Sequence, residues 1–271
     1  MVYWNDNGGF TNWSKRTAST LTNIVDFAVL DYSTVYALDD NGDVARSDHN
    51  GSRWLSAEDS KVDAGHTIAV LGDYVLVGGA EGSVGYSDDG ADSFSRLGDK
   101  GTLTNNVHVA FDSYFGDNDT VYAAVADFEL EEEAGGIYRW VIDDSTSWKD
   151  LKARGKEEVG TTEPDNNGLP IYAYYNYYGI VLDNADGNPM TDEDTGGVLY
   201  AVYDYYYDDN VSVFYTGMAR LLDPCTSPSA AKWDYLINGV PAEETFFDAE
   251  PSALRICDSG NSLLWAINTY G

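Results

Sequence analysis

The chain has 271 residues and a formal net charge of -31, because 46 acidic residues stand against only 15 lysines and arginines. A surface of this charge repels phosphate backbones, so nucleic acid is excluded as an expected partner. The aromatic content of 14% excludes an intrinsically disordered chain. No run of about 18 apolar residues occurs, so no membrane-spanning helix is expected.

The first predicted element in chain order is a β-hairpin over residues 34–48, TVYALDDNGDVARSD, in which apolar positions alternate on both sides of an acidic Asn-Gly turn. The pattern returns at residues 73–90, DYVLVGGAEGSVGYSDDG, and at residues 120–144 with a longer acidic loop. It returns again at residues 197–223, GVLYAVYDYYYDDNVSVFYTGMARLLD. No segment predicts an amphipathic helix of ordinary length, so the sequence predicts an all-β fold.

A repeated octet ends two of these hairpins. SDHNGSRW at residues 47–54 and SDDGADSF at residues 87–94 both begin with Ser, continue through mostly small or acidic residues, and end on an aromatic side chain. Weaker copies are NDNGGFTNW, VIDDSTSW and LLDPCTSPSAAKW, which makes the closing aromatics Trp13, Trp54, Phe94, Trp148 and Trp233. The first three of these lie about 40 residues apart, which is the length of a four-stranded propeller blade.

The octets resemble Asp-box, or BNR, repeats, whose loose form is Ser-x-Asp-x-Gly-x-Thr-Trp. Proteins with these repeats include sialidases, sortilin-type receptors, some endoglucanases and photosystem assembly factors. The resemblance implies a structural role, and turn chemistry agrees: Ser or Asp accepts N–H groups that a turn leaves unpaired, while Gly supplies left-handed dihedrals. The residues expected to have this structural role are Ser47, Gly51, Trp54, Ser87, Asp89, Phe94, Asp143, Trp148, Asp223 and Trp233.

The same resemblance implies a β-propeller of four-stranded antiparallel blades. We expect about five blade equivalents in a single region over residues 1–271, with blade-like units at roughly 1–18, 19–60, 61–100, 101–155, 165–240 and 241–271. A closed five-bladed ring and an arc of a larger propeller both satisfy this arrangement. The arc is preferred, because the repeats are typical of secreted proteins and yet MVYWNDNGGF lacks the basic and apolar regions of a signal peptide.

The resemblance does not extend to sialidase catalysis, because the Arg-Ile-Pro signature of those enzymes is absent. We therefore expect a non-catalytic extracellular or cell-surface propeller that binds protein or carbohydrate, or that assembles as a homo-oligomer or lattice into a larger surface structure. The alternative is part of a glycan-active hydrolase that uses two facing carboxylates. No catalytic residue is assigned, since 46 acidic residues offer too many pairs.

Two tyrosine-rich stretches supply the predicted binding surface. YAYYNYYG at residues 172–179 and YAVYDYYYDDN at residues 200–210 place alternate tyrosines on opposite faces of strands. Rings that carry hydroxyls suit contact with protein or carbohydrate, whereas the alternative is that they fill the space between blades. The candidate surface residues are Tyr174, Tyr175, Tyr177, Tyr205, Tyr206 and Tyr207.

The segment DNADGNPMTDED, residues 183–194, has the composition of a calcium loop but lacks the EF-hand order of ligands. Its candidate Ca²⁺ ligands are Asp183, Asp186, Asp192 and Asp194, and a solvated acidic loop is the alternative. His66 and His108 occupy corresponding places near the start of inner strands. A metal site needs three or four convergent ligands, so both are interpreted as structural histidines.

Cys225 and Cys257 are the two cysteines of the chain, and we expect a disulfide between them. Cys225 lies in the insertion DPCTSPSAAKW, which is long enough to reach a neighbouring blade, and Cys257 lies in a predicted strand. Such a bond implies an oxidising compartment and so supports an extracellular or cell-surface location. The alternative is a pair of free thiols in a cytosolic protein.

Overall fold

The structure is a computed structural model and describes residues 2–5, 12–18, 20–99, 103–126, 135–161, 170–183, 197–207, 210–225, 227–236, 251–257 and 263–268, with side chains at fewer positions in some strands. The chain divides into two compact units, Met1–Val109 and Ala110–Gly271. No helix in the described part of the chain is long and apolar enough to cross a membrane.

The first unit contains one two-stranded and two four-stranded antiparallel sheets. The two-stranded sheet pairs Val2–Trp4 (β1) with Ser14–Arg16 (β2). The next sheet comprises Ile24–Val29 (β3), Val35–Asp39 (β4), Asp43–Ser47 (β5) and Ala57–Asp59 (β6), and the one after it Gly65–Leu71 (β7), Tyr74–Gly79 (β8), Val84–Ser87 (β9) and Ser95–Arg96 (β10). Each strand pairs with the strand before it in the chain, so both sheets are simple meanders.

The core of the first unit lies between the second strands of these two sheets. Tyr36 and Leu38 point from one face of β4 into a buried cluster that includes Val75 and Val77 of β8. Ala37, on the opposite face of β4, belongs to a second buried cluster. Because β4 is covered on both faces, all five of its residues are buried.

The second unit continues the same strand order. Asn106–Phe111 (β11), in which the boundary between the units falls, is followed by a one-turn helix, Phe115–Asn118 (α1), and by Thr120–Ala126 (β12), Gly136–Val141 (β13) and Lys149–Asp150 (β14). A five-stranded sheet comprises Lys156–Thr161 (β15), Pro170–Asp183 (β16), Val198–Tyr207 (β17), Asn210–Leu221 (β18) and Trp233–Tyr235 (β19). Pro251–Cys257 (β20) pairs with Leu263–Asn268 (β21).

The acidic turn between β4 and β5 shows why the predicted hairpins form. Asp39 Oδ1 accepts the backbone N–H groups of Asn41 and Asp43, each at 3.0 Å, and Gly42 adopts the left-handed φ of 89° that the turn requires. The Asp39 side chain is buried, and its second oxygen accepts the N–H of Thr22 at 3.0 Å. The predicted all-β fold with four-stranded antiparallel sheets is confirmed.

Candidate functional site

The octets at residues 47–54 and 87–94 form turns that are closed by their first serine. Ser47 Oγ accepts the N–H of His49 at 3.2 Å and of Gly51 at 3.0 Å. Ser87 Oγ accepts the N–H of Asp89 at 3.4 Å and of Ala91 at 3.0 Å. Both serine side chains are buried, and their contacts serve the turn itself.

The third position distinguishes the two octet turns. Asp89 accepts the N–H groups of Asp92 at 3.0 Å and Ser93 at 2.9 Å, and also the Ser93 hydroxyl at 2.6 Å. These hydrogen bonds, led by the Ser93 hydroxyl, lower the pKa of Asp89 to about 2. Arg46 Nη1 of β5 donates to Gly90 O at 3.3 Å, so the second octet turn is also tied to the preceding sheet.

The weaker octet VIDDSTSW, residues 141–148, does not repeat the serine contacts of the first two. Val141 stands where the first two octets have Ser, and its own N–H donates to Ser145 Oγ at 3.0 Å. Asp143 and Asp223 adopt left-handed φ values of 61° and 54°. The closing aromatics still lie at or near short strands: Trp13 precedes β2, Trp54 precedes β6, Phe94 precedes β10, Trp148 precedes β14 and Trp233 begins β19.

Most of the tyrosines that were predicted to form a binding surface are buried. The side chains of Tyr174, Tyr175, Tyr177 and Tyr206 are buried, Tyr205 is half-buried, and the side chain of Tyr207 lies outside the described residues. The reason is that β16 and β17 pair along their length and pack on both faces, so that ring stacks on ring, as Tyr174 does on Tyr206 at 5.3 Å between centroids. The prediction of a binding surface is therefore wrong for Tyr174, Tyr175, Tyr177 and Tyr206, which lie in the core.

Arg154 connects Tyr177 of β16 with Tyr235 of β19. Its backbone N–H donates to Tyr235 Oη at 2.6 Å, and its carbonyl accepts the Tyr177 hydroxyl at 2.9 Å. Its guanidinium lies 4.1 Å from the centroid of the Tyr235 ring. Burial raises the pKa of Tyr177 well above its usual value, so the phenol stays neutral and the network stabilises the interior.

Cys225 is a free cysteine in the structure, which contradicts the predicted disulfide. Its Sγ lies 3.4 Å from Tyr122 Oη and 3.8 Å from a carboxylate oxygen of Asp112, so the thiol is taken up by a polar cluster within the second unit. Burial raises the pKa of Cys225, which keeps it protonated and unreactive at neutral pH. The side chain of Cys257 lies outside the described residues, and the expected location outside the cell loses the support of this bond.

Two histidines that were interpreted as separate structural residues lie together within the first unit. His66 Nε2 and His108 Nε2 are 3.2 Å apart, and the two rings meet edge to face. Both side chains are half-buried, and burial lowers the pKa of His66. His49 lies apart from them, exposed in the first octet. The sequence signal for this pair was their shared position near the start of consecutive inner strands.

The predicted calcium ligands stay a prediction. The side chains of Asp183, Asp186, Asp192 and Asp194 all lie outside the described residues. Within the part of the chain that the structure describes, no three side chains of the His, Cys, Asp or Glu type gather as a metal site.

The outward face of β3 is an apolar surface that sequence reasoning missed. Val25, Phe27 and Val29 are 45%, 52% and 59% exposed, and they alternate with half-buried residues along the strand. On the opposite face, the carboxylate of Asp26 accepts the N–H of Ile68 in β7 at 2.9 Å. We call the exposed set Val25, Phe27 and Val29 the β3 stripe. No residue type in IVDFAV distinguishes it from a buried strand.

Comparison with known proteins shows the fold and not the family. No family model matches the chain, and no curated protein matches its sequence. Among solved structures, the chain is similar to YCF48 bound to D1 peptide, with a TM-score of 0.50 and 14% identity, over 92% of this chain and 62% of that one. It is also similar to the GH74 enzyme of Niastella koreensis, with a TM-score of 0.52 and 15% identity, over 83% of this chain and 32% of that one.

The chain therefore spans less than two thirds of the length of either of these structures. At such low identity the likeness concerns the fold alone. Both structures are β-propellers, so the predicted β-propeller is confirmed.

Proposed function

We propose that this chain is a non-catalytic β-propeller that binds another protein through the β3 stripe. The observation that carries the proposal is the exposure of three large apolar side chains, Val25, Phe27 and Val29, along one face of a single strand. Such a contiguous apolar surface is typical of an interaction site, whereas apolar residues that are exposed singly are ordinary.

The chemistry of the stripe favours a protein over a carbohydrate. Carbohydrate recognition depends on hydroxyl and amide groups set beside flat aromatic rings, and the stripe offers two valines and one phenylalanine. Most of the tyrosines that would suit a sugar are buried in the second unit. One of the similar propellers is a structure bound to a peptide, which supports peptide binding on this fold.

The net charge of -31 defines the partner further. Electrostatic complementarity favours a segment whose apolar side chains are flanked by lysine or arginine, because such charges speed association and reject acidic competitors. The partner we propose is therefore an extended protein segment with an apolar centre and basic flanks. Its affinity should fall as salt screens these charges.

A fluorescent synthetic peptide with alternating Val and Phe and with Lys at both ends tests the proposal by anisotropy. Val29→Ser should weaken binding about tenfold, because burial of a valine contributes about 1.5–3 kcal/mol and 1.4 kcal/mol corresponds to tenfold. The matched control is Val159→Ser, since Val159 of β15 is 48% exposed and lies outside the stripe. That variant should bind as the wild type does.

Three results would overturn the proposal. Equal affinity of Val29→Ser and Val159→Ser would show that the stripe does not bind the peptide. A concentration-dependent dimer that Val29→Ser abolishes, measured by sedimentation velocity without peptide, would assign the stripe to a second copy of the chain. Turnover of a glycan by the same protein would favour the hydrolase alternative.

A further inference from the structure

We infer that His66 and His108 form a two-histidine site for a divalent transition-metal ion, with zinc as the metal. Both residues belong to the first unit, His66 in β7 and His108 in β11. The site is independent of the β3 stripe and of peptide binding. What points to it is the convergence of two imidazole Nε2 atoms from different strands on one place.

The separation of the two nitrogens fits shared coordination. Zinc binds histidine nitrogen at about 2.0–2.1 Å, so two such ligands at tetrahedral corners lie roughly 3.3–3.4 Å apart. The observed Nε2–Nε2 distance is 3.2 Å, close to the separation that shared coordination requires. Calcium and magnesium are disfavoured, because these ions take oxygen ligands, whereas imidazole suits zinc, copper and nickel.

The strands that carry the two histidines are held in place by their neighbours. Thr67, next to His66, donates its hydroxyl to Val107 O, next to His108, at 2.8 Å. Gly78 of β8 lets the backbone of β11 approach closely, since a Cβ at Gly78 would lie 2.0 Å from Val107 O. Both contacts meet at Val107 O, next to His108, so they hold β11 against β7 and β8 where the two rings meet, which is the preorganisation that a metal site needs.

The protonation state also suits a metal. A neutral imidazole ligates a metal through an unprotonated ring nitrogen. Without metal, one Nε2–H donates to the other Nε2. Metal binding requires only that this proton move to Nδ1 of the same ring. The two histidines are fewer protein ligands than the three or four of established zinc sites, and no third side chain of the metal-ligating types joins them among the described residues, so solvent would complete the coordination sphere.

The first experiment observes the imidazoles directly. The ¹⁵N-labelled protein is treated with a chelator, transferred to molar KCl with excess MgCl₂ to occupy the surface carboxylates, and titrated with ZnCl₂. We expect saturable binding of one zinc ion per chain, with the ring nitrogens of His66 and His108 shifting together and those of His49 unchanged. A titration in which neither of the two rings responds to zinc would overturn the assignment and leave a simple N–H···N hydrogen bond.

The second experiment uses three matched variants and competition with a chromophoric chelator. His66→Gln and His108→Gln should each weaken zinc binding at least about tenfold, because even groups that only orient a ligand are worth 10–100-fold in metal affinity. His49→Gln should leave the affinity unchanged, and far-UV circular dichroism checks that each variant is folded. Zinc affinity that survives in both folded variants would refute the site, and if either variant fails to fold the titration of the wild-type rings decides.

Discussion

The two octet turns of the first unit follow the same backbone path with different side chains. In both, the opening serine accepts the N–H two and four residues ahead. At the third position the first turn has His49, whose exposed ring makes none of the hydrogen bonds that close the turn. The second turn has Asp89, whose carboxylate closes the far half of the turn. The buried serine hydroxyl is therefore the acceptor that both turns need, and the Asp89 carboxylate adds further hydrogen bonds in one of them.

The backbone supports this interpretation. Asn50 and Gly51 adopt φ values of 52° and 71°, and the corresponding Gly90 and Ala91 adopt 75° and 71°. Two consecutive left-handed residues therefore occur in both octet turns. Three of the four are glycine or asparagine, which adopt that region readily, and the fourth is alanine, which does not. The turn geometry is common to both, although glycine stands at different positions.

The largest expected effect comes from removing the serine hydroxyls. Ser47→Ala and Ser87→Ala should each lower the free energy of unfolding by about 1–3 kcal/mol, since each leaves buried N–H groups without an acceptor. The measurement is the midpoint of urea unfolding in molar KCl at a constant m-value. A serine variant that costs less than loss of the Asp89 carboxylate would reverse the order of importance given above.

The next effect should differ between the two octet turns. Asp89→Ala should lower the free energy of unfolding by about 1 kcal/mol, as the loss of a capping carboxylate does at a helix N-terminus. His49→Ala, at the matched position, should change it by less than about 0.5 kcal/mol, because exposed side chains outside such contacts contribute little. Equal losses at the two positions, measured in the same urea series, would contradict the division of roles.

A smaller effect concerns the left-handed positions. Gly51→Ala should destabilise by about 1 kcal/mol, because a Cβ at a positive φ is strained and would lie 3.3 Å from Arg16 Cγ. Ala91→Gly should be nearly neutral, since relief of that strain is offset by loss of a buried methyl worth about 0.8 kcal/mol. Thermal unfolding of both variants checks the asymmetry, and a stabilised Gly51→Ala would show that the two paths are not equivalent.

The smallest effect is a pH dependence at the second octet turn. Because the pKa of Asp89 is lowered to about 2 in the folded protein, its contribution to stability is present above about pH 4 and is lost as the pH falls towards 2. The carboxylate is exposed, so the change should stay below about 1 kcal/mol. The stabilities of the wild type and Asp89→Asn should converge over this range, and a constant difference would contradict the assignment.

The local features of this fold could be predicted because their determinants lie close in sequence. The Asn-Gly turn after Asp39 ends β4 and begins β5 where expected, and the octets form closed turns at residues 47–54 and 87–94. The absence of an amphipathic helix in the sequence agrees with a structure whose α1 is a single turn. Hairpin turns need only a few neighbouring residues, so the sequence of those residues suffices.

The exposure and the long-range contacts of the side chains at the candidate site could not be predicted, because they depend on which sheet covers which face. The tyrosines of β16 and β17 and the apolar residues of β3 read alike as alternating strands, yet Tyr177 is fully buried and Phe27 is half exposed. His66 and His108 meet through packing between strands of different sheets. Cys225 contacts Tyr122, which lies 103 residues earlier in the chain. None of these contacts leaves a periodic signal.

The hydrogen bond from Arg46 to Gly90 joins two sheets that are synthesised one after the other. The donor lies 44 residues before the acceptor, so on the ribosome the strand that carries the guanidinium is made first. When the carbonyl of Gly90 is synthesised, all four strands of the sheet that carries Arg46 are already present in the chain, so the second octet turn can close against them. For these two sheets of the first unit, the order of translation therefore allows the second to dock on the first.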